Sequence, residues 1–323
     1  MEQFWNLLDE ADPSLLYRRG EKGDLRFGEI AGTNRKNFGE DFKIVIIGFP
    51  YDEGAVRNQG RAGSARGPDE IRKSFYRLTP TKSSALNDAA AKIFDAGNLS
   101  PNMGLDDALS ALENVVTALL RHGHTPIILG GSNDLSYADF RACLAVRRNC
   151  GAINIDSHLD VREYSKGINS GTPYRMLLDS GTLTGKNFAE YGIQEFVNSR
   201  EHLAYAIESG AHIFTLTQIH SQKNSESFMQ AYRAVSGETE GVYVSFDMDS
   251  VRSSDAPGVS APTPTGLTAE ELLECAYLAG SEEKTMMMDV CEFNPGYDVD
   301  GHTAKLAAMT VANFIAGVSN RIT

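Results

Sequence analysis

The chain has 323 residues, of which 41% are apolar and 23% are charged, so it is long enough for one large α/β domain or two smaller ones. Its formal net charge of −13 argues against nucleic acid or an anionic membrane as a partner. The four cysteines show neither a paired zinc-binding spacing nor a disulfide framework, and no signal peptide or membrane span is visible. A cytoplasmic location is therefore expected.

Seven short apolar segments predict β-strands that are buried on both faces, because they lack charged residues at alternate positions. These segments are Lys43–Gly48, Ala91–Phe94, Pro126–Leu129, Ala152–Ile155, His212–Leu216, Val242–Phe246 and Thr285–Val290. Helical patterns occupy Pro68–Tyr76, Leu105–His122, Tyr137–Ala145, Arg200–Ser209, Ser225–Ala234, Thr268–Leu278 and His302–Val318. This alternation indicates an α/β fold with a parallel sheet covered on both sides. With no internal repeat or linker, residues 1–323 are expected to form one domain.

Three long segments between these elements are rich in Gly, Pro or Ser, namely Glu53–Gly67, Tyr164–Thr172 and Arg252–Gly266. Long loops of this kind often carry binding residues, so they are candidate binding loops. Before the sixth helix, Thr268 is followed by Glu271 three residues later, which predicts a capping box.

Acidic residues and one histidine, mostly two residues apart, follow two of the predicted strands. Asp156, His158 and Asp160 come after one strand, and Asp247 and Asp249 come after another. Residues two apart in an extended chain point the same way, so each group would line one wall of a cleft. Four carboxylates this close repel one another unless cations neutralise them, and two divalent ions would balance their charge. Oxygen ligands with one imidazole and no thiolate favour manganese over zinc.

Two further predicted strands also end in polar residues, the segment Gly130-Gly131-Ser132-Asn133-Asp134 and the single residue Glu292. Open α/β sheets bind ligands at the carboxyl ends of their strands, where all of these clusters fall. A single Asp after a strand is usually a helix cap. That explanation does not suit five such residues together, because an unneutralised cluster is costly.

These motifs resemble the signatures of the arginase (ureohydrolase) superfamily, in the same order along most of the chain. They are Leu129-Gly130-Gly131, Asp156-Ser157-His158-Leu159-Asp160, Ser245-Phe246-Asp247-Met248-Asp249 and Glu292-Phe293-Asn294-Pro295. Other stretches are most similar to the formimidoylglutamase branch: Asn58-Gln59-Gly60-Arg61, Asn169-Ser170-Gly171-Thr172-Pro173, Gly192-Ile193-Gln194 and Pro257-Gly258-Val259-Ser260-Ala261-Pro262. The resemblance implies a three-layer α/β/α sandwich around a mostly parallel eight-stranded sheet, with two manganese ions per chain.

The chain departs from the family pattern at two positions. Asn133 stands where the family usually has a histidine that ligates the first manganese. An amide oxygen is neutral like imidazole but is a weaker donor, so the ion beside Asn133 should be weakly bound or absent. Asp134 should not replace it, because a shift of one residue points the side chain elsewhere. Ser170 stands where arginase has a histidine used in proton transfer, which weakens an arginase interpretation.

The resemblance also implies an activity, the hydrolysis of N-formimidoyl-L-glutamate to L-glutamate and formamide in histidine degradation. The implied metal ligands are Asn133, Asp156, His158, Asp160, Asp247 and Asp249. The implied catalytic residues are Asp160, for proton transfer to the leaving amine, and Glu292, which would pair with the amidine. Candidates for binding the substrate are Arg61, Asn169, Ser170 and Glu292. For Arg61 the alternative is a surface loop residue that pairs with Asp52 or Glu53.

Three other interpretations remain open. The chain could be another ureohydrolase, such as an agmatinase or a guanidino-acid hydrolase. It could be a non-catalytic relative that lost a metal because of Asn133, or an unrelated binuclear metallohydrolase, although those sites usually contain more histidines. The expected partner is a small amidine that carries carboxylates, without nucleic acid or membrane, and a homo-oligomer is one option for the assembly.

Overall fold

The computed structural model describes residues 4–39, 41–80, 86 and 92–322. Among these residues, nine strands form one sheet: β1 (Leu8–Asp9), β2 (Ile44–Gly48), β3 (Ile93–Leu99), β4 (Thr125–Leu129), β5 (Cys150–Ile155), β6 (Phe188–Ile193), β7 (His212–Thr215), β8 (Gly241–Asp247) and β9 (Thr285–Cys291). The strand order is β1-β3-β2-β4-β9-β8-β5-β6-β7. Only the two-residue edge strand β1 is antiparallel to its neighbour. The remaining eight strands are parallel, which confirms the predicted mostly parallel sheet. The sheet has nine strands rather than the expected eight, because the short strand β1 is added at its edge.

All seven predicted strands are present, with ends that differ by a few residues; Ala91 lies outside the described residues. The sequence did not predict β1 or β6. In β6 the fully buried Glu190 interrupts the apolar run, and its carboxylate accepts a hydrogen bond of 3.0 Å from Asn154 Nδ2. An acidic residue that is buried inside the protein cannot be distinguished from an exposed one by hydrophobic pattern alone.

The described helices are α1 (Phe27–Ile30), α2 (Glu53–Arg57), α3 (Gly67–Phe75), α4 (Leu105–Arg121), α5 (Leu135–Leu144), α6 (Pro173–Asp179), α7 (Arg200–Glu208), α8 (Leu216–His220), α9 (Asn224–Ser236), α10 (Ala269–Ser281) and α11 (His302–Ile322). The seven predicted helices correspond to α3, α4, α5, α7, α9, α10 and α11. The capping box of α10 is confirmed, because Thr268 and Glu271 each accept a backbone hydrogen bond from the other. The unpredicted helices are short; one of them, α2, lies inside a segment expected to be a loop. None of the helices in the described ranges has the length and apolar character needed to cross a membrane.

The helices cover both faces of the sheet, which gives the expected three layers. Alternate residues of β2 show this arrangement. Ile44 and Ile46 belong to the apolar core formed with α3, α9, α10 and α11, whereas Val45 and Ile47 belong to the core formed with α4, α5 and α6. Because the strands are covered on both faces, the carboxyl edge of the sheet is the place left for a ligand.

Candidate metal centre

Two groups of acidic side chains, one with a histidine, meet at the carboxyl edge of the sheet. Asp156, His158 and Asp249 form one group, and Asp156, Asp160 and Asp247 form the other. Within each group the ligand-type atoms all lie within 4.8 Å of one another. Asp156 is common to both, so the arrangement offers two adjacent positions for cations that share one carboxylate.

Neighbouring strands supply these residues. Asp156 directly follows β5, and Asp247 is the last residue of β8, which pairs with β5 in the sheet. Short-range hydrogen bonds orient the side chains further: Asp156 accepts a bond of 2.7 Å from the His158 amide, and Asp247 accepts one of 2.8 Å from the Asp249 amide. These bonds use the Oδ1 atom of each carboxylate. The Oδ2 atom of Asp156 makes only longer contacts, 3.3 Å to Asn154 Nδ2 and 3.5 Å to Asn133 Nδ2, and the Oδ2 atom of Asp247 lies 3.7 Å from Cys291 Sγ.

Unusual backbone conformations occur around the same place. Among the described residues, four non-glycine residues have positive φ, and three of them are Gln59 (65°), Asp160 (48°) and Glu292 (60°). Side chains with a β-carbon rarely adopt this region, and strain of this kind concentrates at functional sites. All three residues line the cavity over the acidic cluster. The turns after β5 and β9 are thus bent so that Asp160 and Glu292 project into it.

The cluster is electrostatically unfavourable without cations. Burial, followed by repulsion from neighbouring carboxylates, raises the pKa of Asp160 and of Asp247 well above the usual range. Although burial acts in the opposite direction, Asp249 and Asp156 raise the pKa of His158, which lies 3.3 Å from each of them. In the protein without metal, a protonated His158 partly neutralises its neighbours. An ion bound there would displace that proton, because a ligating imidazole has to be neutral.

Asn133 lies beside the second group. Its side chain is fully buried, and its Nδ2 donates a hydrogen bond of 2.6 Å to Asp160. In this orientation the amide nitrogen occupies the side on which a cation would need an oxygen. Asp134, in contrast, accepts a hydrogen bond from Ser132 and packs against the backbone of Gly54. It belongs to neither acidic group.

A cavity of about 430 Å³ opens above the cluster. His158, Asp160, Asp247, Asp249 and Glu292 form its acidic floor. All three candidate binding loops contribute to its walls, through Asn58, Gln59 and Gly60, through Ser170, and through Ser260 and Ala261. The cavity is therefore built at the edge of the sheet by the segments that the sequence indicated.

The proposed substrate residues are placed differently from one another. Ser170 lines the cavity, and its hydroxyl accepts a hydrogen bond of 3.1 Å from Asn58 Nδ2. Asn169 does not line this cavity. Its side chain accepts a hydrogen bond from the Gly171 amide in a tight turn, and the residue borders a neighbouring surface cavity. Arg61 also does not line the cavity, because its guanidinium stacks on the ring of Tyr297, 4.3 Å from the ring centre. It also pairs with neither Asp52 nor Glu53; Glu53 instead binds Arg57.

Arg162 is the only arginine or lysine that lines this cavity within the described part of the chain. Its guanidinium lies over Gly171, where a β-carbon would come within 2.6 Å of Arg162 Cδ. Sequence reasoning missed Arg162, together with Asn198, Ser199 and His202 on the same wall. The available signal was its position two residues after Asp160, on the same side of an extended segment. The other three residues follow the unpredicted β6 and had no recognisable motif.

The donor set fits a pair of divalent ions. It contains four buried or half-buried carboxylates and an imidazole, and it lacks thiolates, which suits manganese. Burial and, after it, repulsion between carboxylates raise the pKa values of Asp160 and Asp247, and nearby cations would relieve the repulsion. Fold and site together define a metal-dependent hydrolase of the arginase type.

Comparison with known proteins leads to the same class. The model of the Arginase family matches residues 42–317, and the chain belongs to this family. It is 32% identical over 295 residues to a formimidoylglutamase of Hahella chejuensis, an alignment that covers 87% of this chain and 86% of the relative. Among solved structures, the formiminoglutamase of Trypanosoma cruzi with Mn2+ is 36% identical, with a TM-score of 0.85 and coverage of 92% and 99% of the two chains. The formimidoylglutamase of Bacillus subtilis is 25% identical, with a TM-score of 0.85 and coverage of 98% of both chains.

Proposed function

We propose that this protein is a manganese-dependent formimidoylglutamase. Water would cleave the C–N bond of N-formimidoyl-L-glutamate and release L-glutamate and formamide. The observation that carries the proposal is the cavity itself, which has an acidic floor suited to two cations and a single arginine at its wall. The relatives with this name align along most of the chain, which supports the same activity. We further infer that residues 1–323 act as one domain, in the cytoplasm, within histidine degradation.

The ligands would be Asp156, His158 and Asp249 for one ion, and Asn133, Asp156, Asp160 and Asp247 for the other. When bound, the two ions supply an activated water as nucleophile and stabilise the negative charge that develops during attack. The remaining steps depend on the protein's own side chains.

Glu292 would bind the amidinium end of the substrate. It lines the cavity, and one of its carboxylate oxygens accepts a hydrogen bond of 2.8 Å from the Asn133 amide. Burial raises the pKa of Glu292 to about 8, so a cationic amidinium would favour its ionised form. Asp160, which borders the cavity, would transfer a proton to the leaving nitrogen of glutamate.

Arg162 would bind the carboxylates at the other end of the substrate. A planar guanidinium can hold a carboxylate through two parallel hydrogen bonds. In the described residues the Arg162 guanidinium has no carboxylate partner, whereas Arg57 and Arg175 are paired with Glu53 and Asp179. Ser170 and Asn58 line the same cavity and could contribute neutral hydrogen bonds. Arg162 thus replaces Arg61 as the candidate for this role.

The direct test is product analysis of the manganese-loaded protein with formimidoylglutamate, arginine, agmatine and guanidino acids. We expect equal amounts of formamide and glutamate from formimidoylglutamate, and little urea from the other substrates. Urea release from a guanidine at a higher kcat/KM would identify a different ureohydrolase. Absence of turnover with two bound ions per chain would indicate a non-catalytic member of the family.

A further inference from the structure

A chain of buried hydrogen bonds leads from Asn133 away from the cavity. Asn133 Oδ1 accepts a hydrogen bond of 2.5 Å from Ser136 Oγ, and Ser136 Oγ lies 2.9 Å from the hydroxyl of Tyr243. The Tyr243 hydroxyl in turn contacts the carboxylate of Asp289. All four residues are fully buried, and Ser136, Tyr243 and Asp289 do not line the cavity.

The sheet and one helix bring these groups together. Tyr243 is on β8, Asp289 is on the adjacent strand β9, and Ser136 is in the first turn of α5, directly after the turn that contains Asn133. Ser245, also on β8, donates a hydrogen bond of 2.9 Å to the other Asp289 oxygen. Each oxygen of Asp289 therefore has a different partner, Oδ2 facing Tyr243 and Oδ1 facing Ser245.

Each hydroxyl has only one proton, so the three short contacts from Asn133 to Asp289 can all be satisfied in two directions. The other contact of Ser136 Oγ, to Ser245 Oγ, is longer at 3.4 Å. In this structure Ser136 donates to the oxygen of Asn133, and the amide nitrogen faces Asp160. Ser136 then has to accept from Tyr243, and Tyr243 has to accept from a protonated Asp289. In the opposite direction Asn133 donates to Ser136, Ser136 donates to Tyr243, and Tyr243 donates to an ionised Asp289.

Only the second direction suits a metal ion. An amide nitrogen has no lone pair available for a cation, whereas the amide oxygen does. If the Asn133 amide is rotated by half a turn, its oxygen faces Asp156 and Asp160 and its nitrogen faces Ser136. Amide orientation is set by hydrogen-bond partners rather than by shape, since the two ends are nearly the same size.

We propose that Ser136, Tyr243 and Asp289 are positioning residues that select the orientation of the Asn133 amide. When their donors run from Asn133 towards Asp289, the amide oxygen is held towards the second cation position. The change of direction requires Asp289 to lose one proton, which passes to solvent, and no other bond is made or broken. This inference concerns metal binding by the chain and does not depend on which amidine is the substrate.

The first test is Tyr243→Phe, which removes one hydroxyl and keeps the ring. In the metal-binding direction the variant leaves Ser136 with a buried donor and no Tyr243 acceptor, whereas in the other direction Ser136 still donates to Asn133. Its remaining acceptor would be Ser245 Oγ, at a long 3.4 Å. A poorly satisfied buried donor is unfavourable, so the variant should favour the orientation that does not bind metal. We expect about tenfold weaker binding of one of the two manganese ions, measured by calorimetry on the metal-free protein.

The matched control is Tyr232→Phe. Tyr232 is also buried, and its hydroxyl makes a hydrogen bond of 3.0 Å with Thr285, away from the acidic cluster. This variant loses a comparable buried hydrogen bond and should bind both ions as the unmodified protein does. Equal weakening in the two variants would assign the effect to general destabilisation and overturn the proposal.

The second test is Asp289→Asn, alone and combined with Tyr243→Phe. Because Ser245 fixes the oxygen of the new amide, its nitrogen would face Tyr243 and donate to it. The donors would then run in the direction that does not suit a cation, so the same ion should bind more weakly. Tyr243→Phe already interrupts the chain of hydrogen bonds. The double variant should therefore bind this ion no more weakly than whichever single variant has the lower affinity. Additive losses, or normal binding of both ions by Tyr243→Phe or Asp289→Asn, would refute the proposal.

Discussion

Asn133 stands where the resemblance to arginase-type motifs implied a histidine. Its backbone amide donates a hydrogen bond to Glu292, and its side-chain amide donates one to Asp160. Asn133 therefore lies between the two candidate catalytic residues. As a ligand, its amide oxygen would be neutral but weak. The strength of one cation position is therefore expected to depend on this single side chain.

The first prediction follows from that dependence. Asn133→His should raise manganese occupancy towards two ions per chain after dialysis, because imidazole is the better donor. Activity on formimidoylglutamate should rise with it. The measurement is metal content and rate on the same sample. Unchanged stoichiometry in the variant would show that Asn133 is not at a ligand position.

The second prediction separates the two arginines. Arg162→Lys keeps the charge but loses the planar fork, so it should raise KM for formimidoylglutamate about tenfold, with manganese binding unchanged. Arg61→Lys is the matched control, since its guanidinium stacks on Tyr297 outside the cavity. Its KM should remain within about twofold of the unmodified value, a difference of only ~0.4 kcal/mol. If Arg61→Lys had the larger effect, the assignment of the carboxylate site would be reversed.

For single residues, spacing in the sequence predicted the acidic cluster well. It predicted the residues that would bind the substrate carboxylates poorly. Asp156, Asp160 and Asp247 could be placed together because strand ends in a parallel sheet share one edge. The direction of Arg61 depends on its contact with Tyr297, a residue more than 200 positions away. No local pattern carries that information.

At the level of elements, the turn between β4 and α5 shows why the sequence has two consecutive glycines there. A β-carbon on Gly131 would lie 1.8 Å from the carbonyl oxygen of Tyr51, and one on Gly130 would lie 2.4 Å from Leu135. Gly131 also donates a backbone hydrogen bond of 2.9 Å to Phe49. The glycines thus permit close backbone packing, which brings Asn133 to the cluster.

Gly131→Ala is therefore predicted to be strongly destabilising, by on the order of 3 kcal/mol, because backbone atoms rather than a flexible side chain oppose the added methyl group. Chemical denaturation would measure the change in the free energy of unfolding. Gly104→Ala is the control, since a β-carbon there meets nothing within 4 Å. A loss below about 1 kcal/mol for Gly131→Ala would mean that the turn can move aside.

Long apolar runs and long amphipathic helices were predictable as elements, because burial on two faces or one leaves a clear pattern. Short helices such as α2 and α6 were not, since one or two turns provide too few residues to show a period. Strand β6 was missed because the charged residue Glu190 is buried there, where one of its oxygens accepts a hydrogen bond from Asn154 of β5. These failures have one physical cause, namely that tertiary contacts decide what a short segment does.

For the whole molecule, the buried acids predict how stability depends on pH. Burial raises the pKa of Glu292 to about 8, and it raises the pKa values of Asp134 and Asp289 to about 7. A group with a higher pKa in the folded state stabilises the fold fully below its unfolded pKa, and that contribution is lost as pH rises through the folded value.

The metal-free protein should therefore lose stability between about pH 5 and pH 8, opposite to ordinary acid denaturation. Melting temperatures of the metal-free and manganese-loaded protein across this range would test the prediction. The loaded protein should melt higher at pH 8, since the ions bind the folded state and neutralise the cluster. A melting temperature of the metal-free protein that rises towards pH 8 would contradict it.

The strand order has a consequence for how the chain acquires its metal during synthesis. The central strands β4, β9, β8 and β5 are neighbours in space, but β9 is made last of the four and inserts between β4 and β8. Until residues 285–291 have left the ribosome, Asn133 and the acidic residues after β5 and β8 belong to two separate halves of an unfinished sheet. Non-local pairing of this kind is slow to form. The ligands Asp156, His158 and Asp249 follow the adjacent strands β5 and β8 and do not depend on β9. Retention of the ion beside Asn133 therefore marks a completed chain, and a nascent or truncated chain should be unable to hold it.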